Sequence, residues 1–467
     1  MAFCDLRDFL SRLDELGELH RVPVTVDPMH EIAAITCRAC RLPAGGPALL
    51  FQQALGSAFP VVTNLFGSRK RMAAALGMEH LEELTSWLRG ILDREPGNSA
   101  LERLVALSVS DLWQRAIPQL VSAAPCREVR EDPPDLSRFP VLKSWPLDGA
   151  PDHAGRFITL PLVITADPAG RETNCGMYRV AVLGPDRLAI HWGESSGAAA
   201  HAHAWQTGRE PMPVAIAVGG DPAVTFAATL PLPKGIDEFR FAGLLRGEPV
   251  DLAACLASGL QVPAGAELVI EGVIHPGETA RDGAFGNHTG YYAEPLVAPL
   301  VRVTSISRRR DMLFPATVVG PPPMEDCWLA AAAERLILPL LQVDVPQVCD
   351  MHQPHAGIFH GATIVAVRNG AAGGGELLTR LSETPWLKRS RLLVLVDAEQ
   401  PPADITGVYW RIMNNVAWER DLRVDGERLF VDATRKDADT RTQLRPDDDV
   451  EALVGKRWRE YGFDDGT

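Results

Sequence analysis

Positive charge is the first shortage in this chain. Lys and Arg number 46 against 60 Asp and Glu, a formal net charge of −14. A surface with that deficit is poorly matched to a phosphate backbone, which needs a basic face, so no nucleic-acid partner is expected. Long apolar runs are missing as well: none approaches the roughly 20 residues that a membrane span requires. The opening MAFCDLRDFL carries acidic residues where a signal peptide has a basic start and an apolar core. These absences predict a cytoplasmic protein with no membrane partner. Cysteine is sparse, eight residues in 467, without the dense framework of a disulfide-stapled domain, so reduced thiols are expected. Cys37 and Cys40 form a lone CxxC, but no second pair or nearby histidine completes a zinc site. The helical spacing of Ile32, Ile35 and Ala39 around them predicts buried thiols. The glycine-rich run 371–375 lacks the GxGxxG or GxxxxGKS spacing that cradles phosphate and reads as a flexible loop.

What is present suits two or three domains, since 467 residues exceed one ordinary core. Leu6, Phe9, Leu10, Leu13 and Leu16 recur at helical spacing and Gly17 closes the pattern. A strand over 20–26, the helix holding Cys37, and strands over 47–51 and 61–65 then alternate, which predicts an α/β unit. Arg69 and Arg71 open a further helix and read as surface charge. Helices are expected over 81–91 and 100–121. Pro133, Pro134, Pro140, Pro146 and Pro151 next mark an irregular connector, with a domain boundary near Ala124. Closely spaced strand patterns over 157–165, 179–183, 188–192, 214–218 and 267–274 predict a small barrel, with one helix at 238–245. Strands over 362–367 and 392–396 with helices over 326–341 and 405–416 then return to α/β alternation. The acidic run from Asp447 reads as a solvated end. The expected fold is α/β: an N-terminal α/β domain (1–123), a central β-barrel domain (124–306) and a C-terminal α/β domain (307–467).

Chemistry concentrates in 271–292, EGVIHPGETARDGAFGNHTGYY. A short apolar strand opens into a loop where Asp282, Asn287, His288 and Tyr291 alternate with Gly283, Gly286 and Gly290, and glycines let backbone approach a ligand closely. This loop resembles the signature of the UbiD-like decarboxylases, PEGPFG followed by Glu or Asp and often by HTGYY. Further matches follow in order. Asn174 stands four residues before the pair Tyr178-Arg179; His191-Trp192-Gly193 and Ser196-Gly197 come next, and Glu238 sits in GIDEFRFAGLLRG.

The resemblance implies a split β-barrel that binds prenylated FMN and a reversible, non-oxidative decarboxylation of an aromatic or heteroaromatic acid. Loss of carbon dioxide from an sp² carbon leaves a carbanion that side chains alone do not stabilise, and this cofactor supplies the electron sink. By the same resemblance Asn174 and Glu238 ligate manganese or magnesium, with potassium as a further ion. Met177, Tyr178, Arg179, His191, Trp192, Ser196 and Gly197 contact the flavin. Arg179 holds the substrate carboxylate, for which a guanidinium fork is matched; Asp282 takes the acid/base role and Asn287 orients the substrate. A flavin prenyltransferase as cofactor supplier and a homo-oligomer, dimer or hexamer, are also implied.

Three positions depart from the pattern. Asp282 is one methylene shorter than the family's Glu, a deficit of roughly 1 to 1.5 Å, and misplacement of about 1 Å can cost on the order of 100-fold in rate. Asn287 replaces the usual proton donor and cannot act as an acid, which leaves Asp282, His288 or water. Some relatives place a metal-binding His where Gly197 aligns. His201 and His203 read as surface histidines, and His352, His355 and His360 as lining a loop. An FMN oxidoreductase and a cofactor-binding homologue without catalysis are the competing readings.

Overall fold

The computed structural model describes residues 2–368, 373–436, 444 and 446–463. Ala371 and Ala372 of the glycine-rich run lie outside them, while Gly374 and Gly375 begin a helix rather than a loop. Near the N-terminus, helix α1 (Leu6–Glu15) is capped by the Asp5 carboxylate, which accepts from the N–H groups of Arg7 and Asp8. It buries Leu6, Phe9, Leu10 and Leu13, the stripe that the spacing predicted. β1 (Leu19–Val26) runs parallel to β2 (Ala48–Ala54), which pairs antiparallel with β3 (Val61–Thr63). Phe314–Pro315 extends this sheet from far along the chain. α2 (Glu31–Ala39) carries Cys37 into the core and ends at Cys40; both thiols are buried and free.

Two expectations fail in this region. Arg71, in α3 (Arg69–Ala75), is fully buried rather than on the surface, and its Nη1 donates to Glu18 Oε2 at 2.8 Å and to the Gly46 carbonyl. Ser68 caps α3 and accepts from the Arg71 N–H, while Arg69 and Lys70 on the same turn stay exposed. α4 (Glu83–Leu92) forms near its expected position, but 100–121 is not one helix. Ser110 caps a second start and accepts from the Trp113 N–H, separating α5 (Ala100–Leu107) from α6 (Asp111–Arg115). A serine that offers its oxygen to backbone N–H groups favours such a restart.

The centre is a ten-stranded sheet. Its main path uses β4 (Arg156–Ile158), β5 (Pro161–Ala166), β6 (Thr173–Gly176), β7 (Arg179–Gly184), β8 (Arg187–His191), β9 (Met212–Val218), β10 (Leu268–Ile274) and β11 (Val297–Arg308). The order is β4-β7-β8-β11-β10-β9-β5-β6, antiparallel throughout. The expected strand over 157–165 is divided between β4 and β5, because Pro161 has no N–H to continue a ladder and begins β5. Both faces are covered. Leu162, Ile164, Ala215 and Ala217 pack toward one core and Val163, Val214, Ile216 and Val218 toward another, the alternation that a period of two produces. α7 (Gly197–Gly208) follows β8 and α8 (Glu238–Arg246) precedes β10.

The last part joins α9 (Glu325–Asp344) to a five-stranded mixed sheet, with Ala362–Val367 and Leu392–Asp397 parallel at its middle. Asp447 caps a helix, Asp448–Lys456, that buries none of its residues, in keeping with a solvated end. No helix among the described residues is long and apolar enough to cross a membrane.

The buried Arg71 fastens α3 to the turn before β1. Arg71→Ala should cost about 3 kcal/mol or more of unfolding free energy in urea, because it strands buried acceptors. Arg69→Ala, which removes an exposed pair with Glu82, should cost less than about 1 kcal/mol.

Candidate active site

Arg179 opens β7 and His191 closes β8, and the two are directly opposed in the ladder. Opposed residues project from the same face of a sheet. Both reach the Asp282 carboxylate. Arg179 donates to Asp282 Oδ2 from Nη2 at 2.5 Å and from Nε at 3.1 Å, and His191 Nδ1 lies 3.5 Å from the same oxygen. Oδ1 accepts the Leu296 N–H at 2.8 Å. Asp282 has 0% exposure. Burial pushes its carboxyl up, but hydrogen bonds from His191, Arg179 and Leu296 outweigh that and hold it below its ordinary value. The Arg179 guanidinium also stands over the Phe285 ring at 5.0 Å, and Phe157 meets Phe285 edge-on at 4.9 Å. The arginine is therefore fixed between a carboxylate and an aromatic face.

The irregular connector anchors this loop. Gly149 and Ala284 exchange two backbone hydrogen bonds of 2.8 Å, and Asp148 Oδ1 accepts the Gly286 N–H at 2.8 Å. Gly283 has φ +85°, and a Cβ there would stand 2.6 Å from the Gly149 carbonyl carbon. No side chain fits at that approach. Trp145 covers Gly286 and donates from Nε1 to the Val319 carbonyl at 2.8 Å.

The stretches just before Arg179 and just after His191, with 232–240, line a cavity of about 500 Å³. Asn174, Ser196, Gly197 and Glu238 line it, together with Arg171, His201, Lys234 and Arg240. Two helix N-termini open onto it, α7 capped by Ser196 and α8 capped by Asp237, an arrangement that favours an anion. Glu238 accepts the Cys175 N–H at 3.1 Å, and burial pushes its carboxyl up to about 7. No cation among the described residues pairs with it. Gly197 leaves room for Asn174, whose Oδ1 lies 2.1 Å from the place a Cβ would take. The donor set fits the expected group: lysine, arginines and helix ends for a phosphate, and a half-buried carboxylate with an amide oxygen for a hard divalent cation. Among the described residues no three His, Cys, Asp or Glu side chains converge as a metal site.

The remaining candidates are placed as follows. The Met177 N–H donates to the Ala228 carbonyl at 2.9 Å. Tyr178 packs edge-on against Trp192 at 6.2 Å and its hydroxyl lies 3.4 Å from Asn174 Nδ2. Asn287 does not hydrogen-bond to the Arg179–Asp282 pair; its Oδ1 accepts from the Thr289 N–H at 2.8 Å and hydroxyl at 2.6 Å. Its amide NH₂ has no partner among the described residues. His288 lies 5.5 Å from Phe359 and burial holds its imidazole below the ordinary value, whereas Tyr291 is exposed. Of the three downstream histidines, His352 sits on a strand and pairs with Glu334 at 3.2 Å rather than lining a loop. His355 and His360 occupy short turns.

Sequence reasoning missed four contributors. His191 was placed against the flavin, and only the β7–β8 register reveals its contact with Asp282. Asp148 sits in a connector that had no assigned role. Lys234 was legible as the one cation in the proline-rich PLPKG run just before Glu238. His201 is a correction: it is buried, with Nδ1 2.9 Å from Thr165 Oγ1, and it lies on a helix that was not predicted.

Comparison with known proteins gives matches along most of the chain. Three models of the 3-octaprenyl-4-hydroxybenzoate carboxy-lyase (UbiD) family match: its N-terminal domain at 10–89, its Rift-related domain at 119–322 and its C-terminal domain at 327–438. An uncharacterized protein of Archaeoglobus fulgidus is 39% identical, covering 90% of this chain and 86% of the relative. The evolved dimeric UbiD-class enzyme HmfF from Pelotomaculum thermopropionicum, in complex with prFMN, superposes with a TM-score of 0.80 at 27% identity, covering 95% of this chain and 97% of that one. Vanillic acid decarboxylase from Sedimentibacter hydroxybenzoicus, in its closed form, gives 0.84 at 25% identity, with 99% and 100% covered.

The raised Glu238 carboxyl has a pH consequence. Its protonated form is favoured in the folded, metal-free protein, so stability is lost as pH rises from about 4.5 through about 7. Glu238→Gln should leave Tm unchanged at pH 5 and raise it by roughly 1 to 3 °C at pH 8. Thermal melts of metal-stripped protein at both pH values check this.

Proposed function

Since the chain belongs to the UbiD family of carboxy-lyases, we propose that it is a prenylated-FMN-dependent enzyme that reversibly decarboxylates an aromatic or heteroaromatic acid. The observation that carries this reading is Arg179, held between Asp282 and Phe285 five residues after Asn174, which lines a cavity with Arg171, Lys234 and Arg240. When bound, the cofactor would supply the electron sink that the carbanion needs. Lys234, Arg171 and the two helix ends would hold its phosphate, with Asn174 and Glu238 on manganese or magnesium, and potassium as a further ion. Met177, Tyr178, Trp192 and Ser196 would line it.

Within this reading Arg179 orients the substrate carboxylate with the guanidinium edge that Asp282 leaves free. Asp282 is ionised at neutral pH and takes the acid/base role, loading a proton from the His191 side before it can return one to carbon. The unpartnered NH₂ of Asn287 donates to an oxygen or ring acceptor of the acid, the opposite polarity to a carboxylate at that position. A second cavity, of about 390 Å³ and lined mainly by Leu, Ile and Phe, shares Leu232, Pro233 and Ile236 with the first; it supports a substrate with an apolar body. The ten-stranded sheet is the split barrel of this reading, with domains 1–123, 124–306 and 307–467. A flavin prenyltransferase supplies the cofactor in the cytoplasm. Exposed Ile405, Tyr409, Trp410 and Met413 on helix Ile405–Asn415 support a dimer or hexamer.

Protein co-expressed with a flavin prenyltransferase should release prenylated FMN by mass spectrometry and decarboxylate a member of a panel of pyrrole, furan, indole and hydroxybenzoate acids. Arg179→Ala should retain the flavin and lose kcat/KM by roughly 100-fold or more. Release of plain FMN with NADH-driven reduction would replace this reading by an oxidoreductase, and full activity in the Arg179 variant would remove that residue from its role.

A further inference from the structure

The second cavity, of about 390 Å³, is walled by side chains of α4, α5, α8, α9 and the segment 230–236. Leu88, Leu104, Leu107, Phe241, Leu336 and Leu340 stand on it, and each belongs to the buried core. Protein interiors leave few voids larger than a water molecule, and an apolar void that stays dry takes apolar ligands. A methylene is about as large as a water molecule, whose share of the liquid is roughly 30 Å³, so the space holds on the order of a dozen such groups. That is one alkyl chain and not two. The charge on the lining has a single sign: His360, Lys388 and Arg389 are its titratable side chains, and no Asp or Glu joins them. Lys388 and Arg389 are exposed, and neither has an ion-pair partner among the described residues.

We propose that this cavity binds a medium-chain fatty acid, with the chain among the leucines and the carboxylate on Arg389 and Lys388. A guanidinium offers a carboxylate a bidentate fork, and an apolar wall ending in unpaired cations is complementary to a single-chain acid. The proposed reaction gives this cavity the apolar body of the substrate; the inference goes beyond that reading by giving it an occupant of its own. Its occupancy reaches the first cavity through one segment. Leu232, Pro233 and Ile236 border both cavities, while Lys234 between them lines only the first. A chain packed behind this segment steadies Lys234 for an anion, so fatty acid and FMN favour each other's binding, reciprocally. This coupling rests on the cofactor reading given above.

Isothermal titration of the full-length protein with dodecanoate, below its micellar concentration, tests the site without turnover. One equivalent should bind to the wild type and to Arg391→Gln, whose exposed side chain lies outside the lining. Arg389→Gln should weaken binding about 10-fold or more, and so should dodecanol in place of the acid. Ala333→Phe, which fills the cavity from α9, should abolish it. Absence of binding to the wild type, or equal binding of acid and alcohol that Arg389→Gln leaves unchanged, overturns the inference. Displacement of dodecanoate by the ring acid that the enzyme decarboxylates also overturns it, because the cavity then belongs to the substrate. Saturating dodecanoate should tighten FMN binding about 5-fold or more; an unchanged FMN affinity removes the coupling. Failure to bind FMN at all counts against the reading of the first cavity and leaves the fatty-acid site standing.

Discussion

A carboxylate removed from water persists only where cations and N–H groups replace its hydration, and the site is built around meeting that demand at Asp282. Arg179 and His191 arrive together because β7 and β8 keep one register from Leu188 to His191; a slip of one residue there would turn one of them to the opposite face. The Leu296 N–H takes the second oxygen, which ties the exit of the loop to its centre. Phe285 then closes the far side of the guanidinium. Strand register, loop path and side-chain charge are thus set by one another.

The elements that the sequence revealed were those whose cause is local. The stripe of Leu6, Phe9, Leu10 and Leu13, the apolar strands of the central sheet and the stop at Gly17 follow from periodicity and backbone preference. The misreadings share a different origin. Arg71 resembles a surface residue until Glu18 and Gly46 come from elsewhere in the chain to receive it, and His201 looks solvated until Thr165 is placed beneath it. In both cases a polar residue is buried by a partner that no window of neighbouring residues contains. Asp148 was invisible for the same reason, since its contact with Gly286 spans the whole barrel region. The candidate site was more legible than the polar core because its residues fall in ordered motifs, although the motif could not say that Asn287 Oδ1 is occupied by its own turn.

The two halves of the site differ in how their charge is balanced. At Asp282 the balance is complete within the protein, and the carboxyl is held ionised. Around Glu238 it is not: a half-buried carboxylate without a cation partner among the described residues stands in a cavity lined by Lys234, Arg171, Arg240 and two helix ends. The first half is therefore finished by folding alone. The second remains electrostatically open, and its own residues define the sign and position of what would complete it.

The contact between Gly149 and Gly283 bears on how such a site can change over time. Because two backbones touch there without side chains between them, the loop has a hard stop whose height above the sheet cannot be tuned by drift at neighbouring positions. New specificities must then arise from what projects off the loop, at Ala284, Asn287 or His288, or from the opposing segment near Val319. Asp282 is one methylene shorter than a glutamate would be, and a backbone held at this stop cannot make up the difference in reach.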